Sequence, residues 1–190
     1  MEFKIQTLWD GGSIDHDPVV IKLEGSPSGL IMTVDAPFFD DPKPMGGVAG
    51  QPYPELWNYE VVEAFFLNDK NEYLEMEFSP HGQHLLLLLD GYRHPIQDKL
   101  PLEYQATIED KKWQGRAVIP AGYFPSQVSK MNCYSIHGVG DKRTYESLYP
   151  TPKGKYSEPD FHRLEYFQPI NLKALLPDNT EPDPKYWKKK

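Results

Sequence analysis

Between Leu56 and Leu67 the sequence Leu-Trp-Asn-Tyr-Glu-Val-Val-Glu-Ala-Phe-Phe-Leu carries apolar side chains at both parities. The run is short for a helix and rich in β-branched and aromatic residues, so it predicts a strand covered on both faces. Two carboxylates interrupt it. Because side chains alternate along a strand, Glu60 is expected on the face of Val62, Ala64 and Phe66, and Glu63 on the face of Val61, Phe65 and Leu67. Charge in such surroundings is costly unless partnered, so each acid is either part of a designed site or a tie to a neighbouring segment.

The same reading extends in both directions. Phe3 to Trp9, Val19 to Leu23 and Leu30 to Val34 are strand-like, with Gly25-Ser26-Pro27-Ser28-Gly29 as the turn joining the last two. From Ala36 to Pro54 prolines and glycines make a long loop, a feature often functional inside a domain. Tyr73 to Ser79 alternates cleanly, with Leu74, Met76 and Phe78 on one face. Glu75 and Glu77 share the other, which reads most simply as a solvated face and otherwise as a groove lining. His84 to Leu89 is apolar on both faces. Tyr104 to Ile108 and Trp113 to Ile119 form a hairpin, and Asn132 to Gly138, Thr144 to Tyr149 and Phe161 to Phe167 are further strands. Leu172 to Leu176 suits a short terminal helix. Many short strands with turn signals between them predict an all-β, antiparallel β-sandwich over residues 1–176, with a barrel as the lesser possibility and a loosely ordered tail at 177–190.

Composition sharpens this picture. Nineteen prolines leave few windows for helices. A formal net charge of -8 argues against nucleic-acid binding, which needs clustered Lys and Arg. One cysteine, Cys133, excludes an internal disulfide and a Cys-based zinc site. Met1-Glu2-Phe3-Lys4-Ile5 lacks a secretory pattern, and the longest apolar run, Leu85 to Leu89, is far too short to span a bilayer. An intracellular, soluble, cytoplasmic protein without membrane association is expected.

Candidate chemistry is sparse. Glu60 and Glu63 on opposite faces do not suit a glycosidase acid pair, which must flank one cleft. Of six histidines, at 16, 81, 84, 94, 137 and 162, His81 and His84 have a spacing that invites a zinc reading, but Pro80 and Gly82 place His81 in a turn; isolated loop or core histidines are the better reading, and no metal site is expected. Cys133 reads as a small buried apolar residue. Gly46-Gly47-Val48-Ala49-Gly50 lacks the lysine and helix of a phosphate-binding loop.

The order of Leu56-Trp57, Glu60-Val61-Val62-Glu63-Ala64-Phe65, Tyr73 to Gly82, Arg116 to Pro120, Asn132-Cys133-Tyr134, Tyr145 to Pro150 and Asp160-Phe161-His162 resembles family 9 carbohydrate-binding modules and related DOMON-like domains. More closely, the chain looks like a vertebrate family of single-domain proteins known by an open-reading-frame label. The wider resemblance implies a sandwich of jelly-roll type that binds sugars in an aromatic-lined cleft, often with structural calcium, although no Asp-x-Asp-x-Asp-Gly loop is present here. On it, Trp57, Glu63 and Tyr149 match motif positions, Glu60 stands where the modules usually carry an aspartate and keeps its charge, and Ser135 stands where relatives carry an arginine. The resulting expectation is a non-enzymatic module, with no catalytic residues and no cofactor. It binds a carbohydrate or polyol through Trp57, Glu60, Glu63, Tyr149 and His137. The alternative is an intracellular scaffold that binds a protein partner with the same fold. A hydrolase or histidine-dependent metalloenzyme ranks last.

Overall fold

The computed structural model describes residues 1–176 and 183–187. Among the described residues, thirteen antiparallel strands, joined by loops and single 3-10 turns, build two facing sheets. In chain order they are β1 (Glu2–Ile5), β2 (Thr7–Leu8), β3 (Val19–Ser26), β4 (Gly29–Pro37), β5 (Val61–Leu67), β6 (Glu72–Phe78), β7 (His84–Asp90), β8 (Pro95–Asp98), β9 (Glu103–Glu109), β10 (Lys112–Ile119), β11 (Lys130–His137), β12 (Thr144–Ser147) and β13 (Gln168–Pro169). One sheet runs β1-β3-β4-β10-β9; the other runs β2-β12-β11-β5-β6-β7-β8, with β13 paired to β11. This is the all-β sandwich that the alternation predicts. Among the described residues no helix is long and apolar enough to cross a membrane.

Strand β5 explains the layering. Val62, Ala64 and Phe66 point into the space between the sheets and meet Leu74, Met76 and Phe78 from β6, Met32 and Val34 from β4, and Trp113 from β10. Val61, Phe65 and Leu67 point the other way, into a second apolar cluster with Tyr73, Leu85, Leu89, Tyr134, Ile136, Leu56, Phe161 and Phe167. Both faces are therefore buried, as two-parity hydrophobicity requires. The outer cover comes from segments without strand geometry, Leu56–Tyr59 and the chain around 150–167.

These covering segments correct two expectations. Leu56–Asn58 is a 3-10 turn entered through Glu55 at φ 54, not the start of a strand, so β5 begins only at Val61. Phe161 to Phe167 forms a 3-10 turn at Leu164–Tyr166 instead of a strand. In both places the aromatic side chains are used to cap a sheet face, which needs an irregular backbone to aim them. Strand β8, four residues opened by Pro95, has no counterpart in the strands expected from the sequence. Leu172–Ala174 makes one 3-10 turn where a short helix was expected. The expected loose tail lies largely at 177–182 and 188–190, outside the described residues; within it, Tyr186 packs edge-on against Tyr123 at 4.8 Å.

The β3–β4 turn gives a first prediction. Gly29 sits at φ 135, and a Cβ there would lie 2.1 Å from the carbonyl oxygen of Ile119. Gly29→Ala is expected to cost about 2 kcal/mol, from backbone strain plus displacement of β10. Urea denaturation of the variant would show it, and an unchanged midpoint would contradict the close approach.

Candidate functional site

The outer face of the larger sheet is not fully sealed. A groove of about 300 Å³ remains between the sheet and its covering segments. Glu63 from β5, Glu75 from β6 and Leu87 and Leu89 from β7 supply its floor. Its walls come from Trp57, Arg93, Tyr145, Asp160, Phe161 and His162. Trp57, at 41% exposure, is the large aromatic residue at its mouth.

The floor is acidic yet buried. Glu63 faces Glu77 across the β5–β6 ladder, and Glu75 is on the same side of β6. Glu63, Glu75 and Glu77 are 2%, 5% and 0% exposed. Burial lifts all three carboxyls above the usual carboxylate range. Glu75 rises to about 8, with Arg93 opposing the shift. Burial and the nearby Glu75 push Glu63 well up, against the pull of Arg143 and Arg93. Burial, then Glu63 and Glu75, do the same to Glu77. Like charges on adjacent strand positions repel, which adds to burial in disfavouring the charged form of these carboxyls. Among the described residues Oε2 of Glu75 takes no hydrogen bond, and the backbone N–H of Trp57 opposes the rise of Glu77.

The rim is polar and well ordered. Arg93 donates to Oδ1 of Asp160 at 2.8 Å, Tyr92 donates to Oδ2 at 2.7 Å, and the backbone N–H of His162 donates to Oδ1 at 3.0 Å. Burial would raise the Asp160 carboxyl, but these hydrogen bonds outweigh it and hold it below its ordinary value. His162 lies 3.9 Å from Glu75 through Nε2. Burial lowers the His162 ring to about 4, with Arg93 adding to the effect. The contact therefore joins a neutral imidazole to a neutral carboxyl and is not an ion pair. Nδ1 of His162 is 2.7 Å from the Tyr73 hydroxyl, which also accepts the Arg93 backbone N–H at 3.1 Å. That leaves the Tyr73 proton for Nδ1 and places the ring N–H on Nε2, toward the groove.

No protein-family model matches the chain. The UPF0462 protein C4orf33 homolog of Danio rerio is 49% identical over 192 residues, covering 98% of this chain and 98% of that protein. The UPF0462 protein C4orf33 of Homo sapiens is 48% identical and covers 98% of this chain and 96% of its own length. The chain belongs to the UPF0462 C4orf33 family. The expected kinship with a vertebrate open-reading-frame family is thereby shown. A crystal structure of a putative carbohydrate-binding protein from Bacteroides uniformis superimposes with a TM-score of 0.67 at 12% identity, over 89% of this chain and 84% of that one. At that identity the likeness speaks for the shared sandwich fold.

In this UPF0462 chain the five residues singled out from the sequence do not form one cleft. Trp57 and Glu63 meet in the groove. Glu60, 4% exposed, accepts the backbone N–H of Phe39 at 3.2 Å and of Asp41 at 3.5 Å, so it ties down the start of the long loop. Burial raises it to about 7 despite those donors. Tyr149 packs against the sandwich interior and borders a small separate recess with Trp9 and Thr151. His137 ends β11 on the interior side, stacked on Phe39 and bonded to Glu146.

The sequence reading missed most of the groove's polar equipment. Glu75 and Glu77, which alternation reads as a solvated face, are buried because residues from 150–167 lie over them. Arg93, Asp160 and His162 come from turns whose meeting no local spacing reveals. The one available signal was the density of outward-pointing glutamates at 63, 75 and 77. A second arginine, Arg143, holds the Trp57 turn: it donates to the carbonyls of Trp57 (2.6 Å), Tyr59 (3.0 Å) and Gly138 (2.8 Å) and lies 3.6 Å from Asp41.

Proposed function

We propose that the groove is a non-catalytic binding site for a carbohydrate or related polyol. The observation that carries this reading is the pairing of a half-exposed Trp57 with a floor of buried carboxyls whose surroundings disfavour the charged form. Sugar rings have apolar C–H faces that pack on an indole and hydroxyls that need both donors and acceptors. A protonated glutamate supplies both, and the Arg93–Asp160 pair and the Nε2–H of His162 add directional partners. The shared fold with a carbohydrate-binding-like sandwich supports the assignment without carrying it.

Calorimetry and tryptophan fluorescence against a glycan panel test the proposal. One sugar class should bind, Trp57→Ala should weaken it at least tenfold, equivalent to roughly 1.4 kcal/mol, and Glu63→Gln should weaken it by a similar factor. Silence across the panel, with Trp57→Ala changing no signal, would sink the assignment.

A further inference from the structure

On the other side of the larger sheet, at the rim of the sandwich interior, three side chains converge from distant parts of the chain. His16 comes from the loop between β2 and β3, His137 ends β11 and Glu146 lies on β12. Their ligand-type atoms lie within 4.8 Å of one another. Nε2 of His16 is 2.7 Å and Nε2 of His137 2.8 Å from the same oxygen, Oε1 of Glu146. The three side chains are 14%, 10% and 0% exposed in that order. The histidines are thus not the isolated residues that their sequence spacing suggests.

Proton placement makes the cluster unusual. Nδ1 of His16 is 2.8 Å from the carbonyl oxygen of Asp17, which can only accept, so Nδ1 carries the hydrogen. In a neutral ring Nε2 then presents its lone pair to a carboxylate oxygen, two acceptors face to face. The other oxygen, Oε2 of Glu146, is buried and takes no hydrogen bond among the described residues. A hydrogen bond from His137 to Oε1 accounts for only one of these contacts. An extra proton on His16 would settle the second but leave Oε2 unmatched. A cation bound by the two Nε2 atoms and by both oxygens of Glu146 would meet all of these lone pairs together, and a ring N–H held by a backbone carbonyl is how metal-bound histidines are commonly oriented.

We propose that His16, His137 and Glu146 bind one divalent first-row transition-metal ion through two imidazole nitrogens and a carboxylate. Two nitrogens and one oxygen suit Zn²⁺, Fe²⁺ or Co²⁺, whereas Ca²⁺ takes six or more oxygens. Two ligands are fixed on adjacent paired strands, where His137 is opposite Thr144 and Glu146 opposite Ser135. The third is on a loop, free to adjust. With metal–nitrogen bonds of about 2.0 Å, donor atoms of a tetrahedral site stand about 3.3 Å apart, so the two His–Glu146 contacts would open by about half an ångström while the two imidazole nitrogens, within 4.8 Å of each other, adjust through the His16 loop. Phe39 stacks on His137 at 3.5 Å and meets His16 edge-on at 4.9 Å, covering the site with an apolar ring. Three protein ligands leave a coordination position for water or a ligand. The site is separate from the groove and stands whether or not the groove binds sugar.

The full chain, stripped with a chelator, is titrated with Zn²⁺ by calorimetry and with Co²⁺ by visible absorption. One equivalent should bind per chain, with Co²⁺ bands of nitrogen and oxygen coordination. His137→Ala and Glu146→Gln should each weaken binding at least 100-fold. Glu146 is fully buried and its variant could unfold, so His16→Ala, in the loop, is the deciding variant: circular dichroism unchanged, binding lost. Equal Zn²⁺ affinity for wild type and His16→Ala would overturn the proposal. So would nitrogen NMR showing both ring nitrogens of His16 protonated in the presence of excess Zn²⁺.

Discussion

Raising the pH from 5 to 8 is expected to destabilise this fold by on the order of 5 kcal/mol. Four buried glutamates drive the change. Glu60 titrates at about 7 and Glu75 at about 8, with Glu63 and Glu77 well above the usual range, whereas in the unfolded chain all four titrate near 4.5. Between these limits the folded state binds more protons than the unfolded state, so stability falls as pH rises. Glu60 alone contributes roughly 3 kcal/mol, from a shift of about 2.5 pH units at 1.36 kcal/mol each. His84 and His162 oppose this: burial lowers both to about 4, so they favour the folded state above about 6.5 and lose that contribution as pH falls. Two histidines offset four glutamates only in part, which puts the stability maximum near pH 5. Urea midpoints measured across this range should decline toward pH 8. Glu75→Gln, which keeps the shape and removes the ionisation, should flatten the slope and stabilise the protein at pH 8. A stability that is level or rising from pH 5 to pH 8 would show that the cluster is charged and otherwise compensated.

Arg143→Ala should cost about 3 kcal/mol and loosen the mouth of the groove at the same time. Its guanidinium is the shared donor for three backbone carbonyls and the partner of Asp41, which is 6% exposed. Removing it leaves a buried carboxylate and several carbonyls without their donor, the situation in which losing half of a buried pair is most damaging. Two of those carbonyls belong to Trp57 and Tyr59, so the turn that presents the indole loses its anchor. The expected signature is a lowered urea midpoint together with red-shifted, more quenchable tryptophan emission. Arg143→Lys should recover less than half of the loss, because an ammonium cannot span three carbonyls with the planar fork of a guanidinium. Full recovery by lysine would mean that charge alone matters there.

The sequence was most informative where a strand obeys its own period. Val61 to Leu67 is buried on both faces because both parities are apolar, and the hairpin of β9 and β10 was legible from its turn. The pattern fails where side chains are aimed by irregular backbone. Trp57, Phe161 and Phe167 look like strand residues by composition but serve as a lid over the outer face, and no local period encodes a lid. Burial of Glu75 and Glu77 depends on that lid, which is why the polar alternation of β6 pointed to solvent. For the site, Trp57 and Glu63 were readable as groove residues, whereas Arg93, Asp160 and His162 reach it through long-range folding of turns. The convergence of His16, His137 and Glu146 spans most of the chain and leaves no spacing signature.

The way the sheets end has a bearing on association between molecules. The larger sheet finishes on β2, two residues long, and on β8, four residues long, opened by Pro95 and joined to β7 with a register shift. The smaller one finishes on β1, with Glu2 and Lys4 along it, and on β9, bounded by Glu103 and Glu109. Short, proline-bearing or charged borders are poor templates for an incoming β-strand. Peptide capture by strand addition and edge-to-edge fibre growth are therefore both disfavoured at these borders.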